Sequence, residues 1–96
     1  MTNPDELKTY VDAEGRITNW PTKHKKREQK LILEYLAAKF ELGRVYTEKE
    51  VNEMLKQYHT FQDWAMLRRE LFEHGFFNRQ KDGSSYWRTP KTKFFD

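Results

Sequence analysis

The sequence contains no cysteine, which excludes disulfide bonds, thiolate zinc sites and thiol nucleophiles. It also has no apolar run long enough to cross a membrane, and its first residues lack the basic and hydrophobic parts of a signal peptide. We therefore expect a cytoplasmic protein with no membrane partner. Hydrophobic residues make up only 36% of the 96 residues and aromatic residues 16%. These proportions predict one small domain with an aromatic-rich core.

Residue patterns that support catalysis or metal binding are also missing. The three histidines, His24, His59 and His74, do not have the spacing of metal ligands, and there is no glycine-rich phosphate loop. Ser84 and Ser85 fall in a predicted hairpin, where polar turn residues are expected. We therefore predict that the protein is not an enzyme and uses no metal or cofactor.

Two helices separated by a short turn are predicted in the second half of the chain. Thr47 and Glu50 have the spacing of a capping box, which opens a helix that runs to Tyr58. A further apolar-periodic run over residues 61–74 predicts the next helix. Gly75 then ends that helix, because glycine readily adopts the left-handed backbone that is common at this position.

A β-hairpin is predicted directly after these helices. Strand-like residues 76–80 and 84–88 flank Lys81-Asp82-Gly83, which is a strong hairpin signal. Helix, turn, helix and hairpin is the order of a winged helix-turn-helix. We therefore predict an α+β fold, a small winged helix-turn-helix domain with three helices and a C-terminal hairpin as its wing. This order proposes nucleic-acid binding without establishing it.

The first half of the chain supplies the remaining elements. Apolar residues at helical spacing predict a first helix over residues 25–42, with Thr22 as its cap and Gly43 at its end. Residues 10–18 could make a small N-terminal hairpin that turns at Gly15. A short extended piece at residues 44–46 is expected to pair with the wing.

The chain is interpreted as one domain with two short ends. Residues 1–9 are polar and unpatterned, which predicts a flexible N-terminal arm. Residues 10–90 form the single winged-helix-like domain. Residues 91–96 follow Pro90 and are expected to be a loosely held C-terminal tail.

The sequence resembles an uncharacterised bacterial domain family over about residues 10–88. The residues that carry the resemblance are Gly15-Arg16-Ile17, Trp20-Pro21-Thr22-Lys23, Lys26-Arg27, Asp63, Leu67-Arg68-Arg69, Gly75, Arg79, Asp82-Gly83-Ser84 and Tyr86-Trp87-Arg88. The family occurs alone or fused behind arsenic-repressor-type helix-turn-helix regulators. The resemblance therefore implies a link to transcriptional control, and it implies no mechanism.

Residues 23–27, called here the basic segment, hold the densest group of cations in a chain whose formal net charge is only +3. Cations at a helix N-terminus oppose the helix dipole, which costs about 0.3 to 1 kcal/mol for each well-placed residue. One interpretation is that these cations contact a phosphate backbone. The other is a solvated surface on which Asp12 and Glu14 neutralise the segment.

Arg68 and Arg69 lie midway along the predicted third helix. Because Leu67 faces inward, Arg69 points outward, whereas Arg68 lies at the core boundary and is predicted to pair with Asp63 or Glu34. Acidic residues outnumber basic ones in this helix, which disfavours its insertion into a major groove. The wing and the basic segment are therefore expected to dominate any contact with nucleic acid.

The predicted wing combines cations with aromatic residues. Arg79, Lys81 and Arg88 accompany Tyr86 and Trp87, and the alternation of a strand places these two aromatic residues on opposite faces. We predict that Trp87 closes the core. Cations beside an exposed aromatic residue can contact the backbone of a nucleic acid while a base stacks on the aromatic ring.

The leading hypothesis is a transcription-related domain that binds nucleic acid, with duplex DNA as its partner, mainly through electrostatic contacts with the backbone. The alternative is a protein-interaction or regulatory module, or a homodimer, without direct DNA binding. The sequence leaves the oligomeric state open. The candidate contact residues are Arg16, Lys23, Lys25, Lys26, Arg27, Arg69, Arg79, Lys81 and Arg88.

Overall fold

The computed structural model describes residues 7–90 of the chain. Its helices and strands, in chain order, are α1 (Lys26–Ala37), β1 (Val45–Thr47), α2 (Glu48–Gln57), α3 (Trp64–Glu73), β2 (Phe77–Arg79) and β3 (Ser85–Arg88). The strands form one antiparallel sheet in the order β1-β3-β2. Over the described residues, the predicted α+β class with three helices and a C-terminal hairpin is confirmed. None of these helices is long and apolar enough to cross a membrane.

Helix α1 is shorter than the apolar spacing predicted. It ends at Ala37 because the next residues form a tight turn, in which the Phe40 N–H donates to the Ala37 carbonyl at 3.0 Å. The predicted cap at Thr22 is also wrong, since Lys25 occupies the N-cap position and makes no capping hydrogen bond with its side chain. Instead, the buried Gln29 amide donates to the Thr22 carbonyl at 3.0 Å and ties the entrance of the helix to its first turns.

The aromatic core forms where the turn after α1 meets the sheet. The Phe40 ring packs edge to face against Tyr46 at 5.1 Å and against Phe77 at 4.7 Å between ring centroids. Tyr46 lies opposite Tyr86 in the β1–β3 register, so both rings face inward. The prediction that Trp87 closes the core is therefore wrong, because Tyr86 takes that place and Trp87 is half-buried on the other face.

The turn chemistry around α2 and α3 agrees with the sequence, except at one boundary. Thr47 and Glu50 form the predicted capping box, with hydrogen bonds of 3.1 and 2.9 Å. Helix α3 begins at Trp64 and not at residue 61, because the Asp63 side chain caps it. Gly75 has a φ of +82° after the last turn of α3, as predicted.

The N-terminal hairpin is present as a single β-bridge. Val11 pairs with Ile17, and the Thr18 N–H donates to the Tyr10 carbonyl at 2.8 Å. Leu7, which the sequence analysis assigned to the arm, is buried in the core. Lys8 and Thr9 of that arm are exposed, and its residues 1–6 and the tail at residues 91–96 lie outside the described residues.

Candidate nucleic-acid interface

Helix α3 and strand β2 bring two of the predicted contact residues together. The Arg79 guanidinium lies 4.1 Å from the centroid of the Phe72 ring, so strand β2 is held against α3 by a cation–π contact. Arg69 is exposed and precedes Phe72 by three residues, which makes the two neighbours on the helix surface. We call Arg69 and Arg79 the arginine pair, because Arg79 contacts Phe72 and Arg69 lies one helical turn before Phe72.

Arg68 points into the protein and holds α2 against α3. One guanidinium nitrogen donates to the Asn52 side-chain oxygen, and the other lies 3.7 Å from a Glu48 carboxylate oxygen. The predicted partners, Asp63 and Glu34, are wrong because the side chain crosses to α2, while the Asp63 carboxylate is occupied as the α3 cap. Arg68 is thus a structural residue.

The charges on the exposed face of α3 are mixed. Arg69 and Glu73 are both exposed and lie one turn apart, while the Glu70 carboxylate lies 3.2 Å from the His74 ring. Because the charge of Arg68 is directed inward, Arg69 is the only arginine of α3 that points to solvent. The helix therefore offers one cation beside the wing and no wide basic face.

The other two predicted wing residues have different surroundings. Lys81 is exposed in the hairpin turn, which is fixed by Asp82 because its carboxylate accepts the Ser84 hydroxyl at 2.7 Å. This hydrogen bond is the main reason that the pKa of Asp82 is lowered from its ordinary value of 3.8. Arg88 instead donates to the Phe40 carbonyl at 3.1 Å and ties β3 to the turn after α1.

The basic segment is exposed at the start of α1. Lys23, Lys25, Lys26 and Arg27 are all exposed, and Glu28 is the acidic residue in the first helical turn. The N-cap residue makes no side-chain hydrogen bond, so the positive end of the helix dipole adds to these charges. This segment lies at the start of α1, whereas the arginine pair belongs to α3 and β2.

Arg16 belongs to neither group. Its side chain is paired with Asp12 at 2.9 Å and with Glu14 at 3.3 Å, so these two carboxylates serve Arg16 within its own hairpin. Arg16 also lines a cleft of about 440 Å³ beside the turn between α2 and α3, called here the turn cleft. The other lining residues are Lys56, His59, Thr60, Gln62 and Trp64.

A second concave surface lies beside β1 and is apolar. Leu42 and Val45, which are 51% and 61% exposed, line a groove of about 380 Å³ with Trp87 and Pro90. We call this surface the edge groove. It follows strand β1, which among residues 7–90 is an edge strand of the sheet and pairs with β3.

A family model described as an uncharacterised protein conserved in bacteria, DUF2087, matches residues 16–88. The chain belongs to this family. The predicted resemblance to an uncharacterised bacterial domain is confirmed, and the match includes all three helices and the whole sheet. Comparison with curated proteins and comparison with solved structures gave no match.

In this DUF2087 domain the sequence analysis missed the residues that join Arg16 in the turn cleft. No local pattern in the sequence singles out Lys56 or Trp64 as a residue that contacts a ligand. Lys56 lies in α2 and Trp64 in α3, so their contact depends on how the two helices pack. Among residues 7–90, no group of three or more histidine or acidic side chains could hold a metal ion.

Proposed function

We propose that this DUF2087 domain is a winged helix that binds duplex nucleic acid in bacterial transcriptional control, mainly through contacts with the phosphate backbone. The order α1-β1-α2-α3-β2-β3 and the sheet order β1-β3-β2 support this proposal. In this arrangement α2 and α3 are the helix-turn-helix, and the β2–β3 hairpin is the wing.

The observation that carries the proposal is the contact of Arg79 with Phe72, a residue that lies one helical turn after the exposed Arg69. The Arg79 guanidinium is 4.1 Å from the Phe72 centroid, so a cation of the wing is held beside the exposed Arg69 of α3. A duplex that lies along α3 would meet both guanidinium groups. Arginine binds phosphate in a planar, bidentate way, which suits this role.

Backbone contact fits the charges better than base reading does. Glu73 is exposed one turn after Arg69, so α3 would bring a carboxylate as well as a cation towards the bases. Lys81 at the wing tip and the basic segment at the start of α1 are both exposed and can neutralise further phosphates. These contacts position the domain on a duplex without specifying a sequence.

Fluorescence anisotropy with a labelled random duplex tests the proposal. We expect binding at low salt that weakens as salt increases. The slope of the logarithm of the binding constant against the logarithm of the salt concentration should fall in magnitude by about 0.9 for each phosphate contact removed. Replacing the arginine pair by Arg69→Gln and Arg79→Gln should weaken binding and reduce the slope. Lys49→Gln is the control, since Lys49 is exposed at the start of α2 and belongs to neither the arginine pair nor the basic segment.

Two results would contradict nucleic-acid binding by this surface. The first is no binding at low salt, or binding that salt does not change. The second is an equal loss of affinity in Lys49→Gln and in the double arginine variant, because a general charge effect would then explain the binding.

The edge groove supports a second proposal, that the domain docks another protein chain or a second copy of itself. Leu42 and Val45 are exposed beside the free edge of β1, where an added strand could pair with the sheet. Light scattering over a range of concentrations tests self-association, and pull-down tests other partners. Val45→Asp should abolish either interaction. A monomer at every concentration together with no protein partner would contradict this second proposal.

A further inference from the structure

The turn cleft lies where three segments of the chain are locked together. The Ile17 N–H donates to the Tyr58 carbonyl at 2.7 Å, and the Thr60 N–H donates to the Ile17 carbonyl at 2.9 Å. This bridge ties the N-terminal hairpin to the turn between α2 and α3. It also fixes Arg16, the residue before Ile17, on one side of the cleft and the end of α2 on the other.

His59 lines the cleft, and both of its ring nitrogens have hydrogen-bond partners within the protein. Its Nε2 accepts the Asp63 N–H at 2.9 Å, so the ring hydrogen lies on Nδ1 and is donated to the Leu55 carbonyl. The side chain is only 5% exposed. His59 therefore shapes the cleft, and the groups available to a ligand come from the residues around it.

Two cations face the cleft from different elements. Arg16 comes from the N-terminal hairpin and Lys56 from the last turn of α2. Asp12 orients Arg16, because its carboxylate accepts both the Arg16 side-chain Nε–H at 2.9 Å and the Arg16 backbone N–H at 2.8 Å. The backbone bond is the largest reason that the pKa of Asp12 is lowered, so this carboxylate remains ionised and keeps Arg16 in place.

The remaining carboxylates beside these cations are easily displaced. Glu14 and Glu53 contact Arg16 and Lys56 at 3.3 and 3.2 Å, and their side chains are 68% and 57% exposed. Exposed ion pairs of this kind contribute little stability. A ligand anion can therefore replace both contacts while Asp12 still positions Arg16.

The cleft also offers an aromatic wall and polar side chains. The Lys56 ammonium lies 4.5 Å from the centroid of the Trp64 indole, so a cation and an aromatic ring line the same space. Thr60 and Gln62 add a hydroxyl and an amide. Gln62 has a φ of +55°, a conformation that is uncommon for residues other than glycine and that often occurs at ligand sites.

We propose that the turn cleft binds a nucleotide, with its phosphomonoester between Arg16 and Lys56 and its base against Trp64. A phosphomonoester has three terminal oxygens that accept hydrogen bonds, so it can contact Arg16 and Lys56 at the same time. The cleft volume of about 440 Å³ lies in the range of small-molecule sites. The same chemistry occurs in a free nucleotide and at the 5′-phosphate end of a strand.

Isothermal titration calorimetry of the full chain with adenosine 5′-monophosphate tests this site. We expect it to bind at least about tenfold more tightly than adenosine or inorganic phosphate, because each of these lacks half of the contacts. Lys56→Gln and Arg16→Gln should each weaken its binding about tenfold. Lys49→Gln, on the same helix but outside the cleft, should leave it unchanged.

Additional measurements separate the two sources of ligand and control for folding. A 5′-phosphorylated oligonucleotide that binds more tightly than its 5′-hydroxyl form, in a way that requires Lys56, would identify a strand end as the source. A higher affinity for the free nucleotide would identify a small-molecule effector. Circular dichroism and thermal unfolding verify the fold of each variant, and Arg16→Lys should restore part of the binding that Arg16→Gln loses.

The proposal is overturned if adenosine 5′-monophosphate does not bind at millimolar concentration, or if Lys56→Gln binds it as tightly as the unchanged chain. Its failure is distinguishable from failure of the proposed duplex binding, because Lys56 and Trp64 lie outside the arginine pair and the basic segment. Lys56→Gln should therefore bind a random duplex normally. The variant that combines Arg69→Gln and Arg79→Gln should bind adenosine 5′-monophosphate with unchanged affinity.

Discussion

The turn cleft and the edge groove have similar volumes, about 440 and 380 Å³, but opposite chemistry. The turn cleft is made by hydrogen-bonded segments that place Arg16 and Lys56 beside an indole. The edge groove is made by Leu42 and Val45, which stay exposed beside an edge strand. The first surface therefore offers charged and aromatic groups, whereas the second offers apolar side chains.

The largest expected effect comes from Ile17, which holds the turn cleft together. Its side chain is fully buried and its backbone makes both hydrogen bonds to the turn between α2 and α3. Ile17→Ala should lower the free energy of unfolding by about 2 to 5 kcal/mol, because it leaves a cavity in the core. Urea denaturation measures this change.

Val45→Ala in the edge groove is the control for Ile17→Ala. Val45 is 61% exposed, so its truncation should change stability by no more than about 0.5 kcal/mol. Equal losses in the two variants would contradict the distinction between a structurally integrated cleft and a surface groove.

His59→Ala should have the next largest effect. It leaves the Asp63 N–H without its acceptor, which costs about 1 to 3 kcal/mol. The Leu55 carbonyl loses the donor from the His59 ring but still accepts the Tyr58 N–H at 3.1 Å. Amide hydrogen exchange should increase first around Asp63 and the start of α3. Unchanged protection of these amides would show that the ring does not organise the cleft.

Substitution within the edge groove should alter association and leave the turn cleft intact. Leu42→Ser and Val45→Thr together reduce the exposed apolar surface and should change the stability of the monomer by no more than about 0.5 kcal/mol. Sedimentation velocity should show loss of any self-association, and nucleotide binding should persist. Loss of nucleotide binding in this variant would mean that the two surfaces are coupled.

The smallest effect is expected from Asp12 and appears only in acid. Its pKa is lowered from 3.8 in the folded protein, so its contribution to stability is full above that value and is lost as the pH falls below it. Asp12→Asn should reduce this part of the acid sensitivity. Thermal unfolding of both proteins between neutral pH and about pH 2 measures the difference, and identical curves would contradict it.

Local signals in the sequence predicted the elements well. The capping box at Thr47, the glycine after α3 and the hairpin turn at Lys81-Asp82-Gly83 act within a few residues, so the sequence contains nearly all the information that they need. The pairing of residues 44–46 with the wing was also predicted and is observed as β1 with β3.

The wrong predictions concern side chains whose burial or partners depend on tertiary contacts. The alternation of β3 separated Tyr86 from Trp87 correctly, but only the register with Tyr46 shows which face is inside. Arg68 pairs with Glu48 and Asn52 because α2 crosses α3 at that point. The turn cleft was missed for the same reason, since Arg16 and Lys56 are far apart in the sequence.

The most direct test of the account is a pair of amide NMR titrations of the isotopically labelled chain, one with a random DNA duplex and one with adenosine 5′-monophosphate. The account predicts that the duplex shifts residues of the basic segment, Arg69 and Arg79. It predicts that the nucleotide shifts Arg16, Lys56 and Thr60. Shifts at the edge groove alone, or no shifts with either ligand, would contradict it.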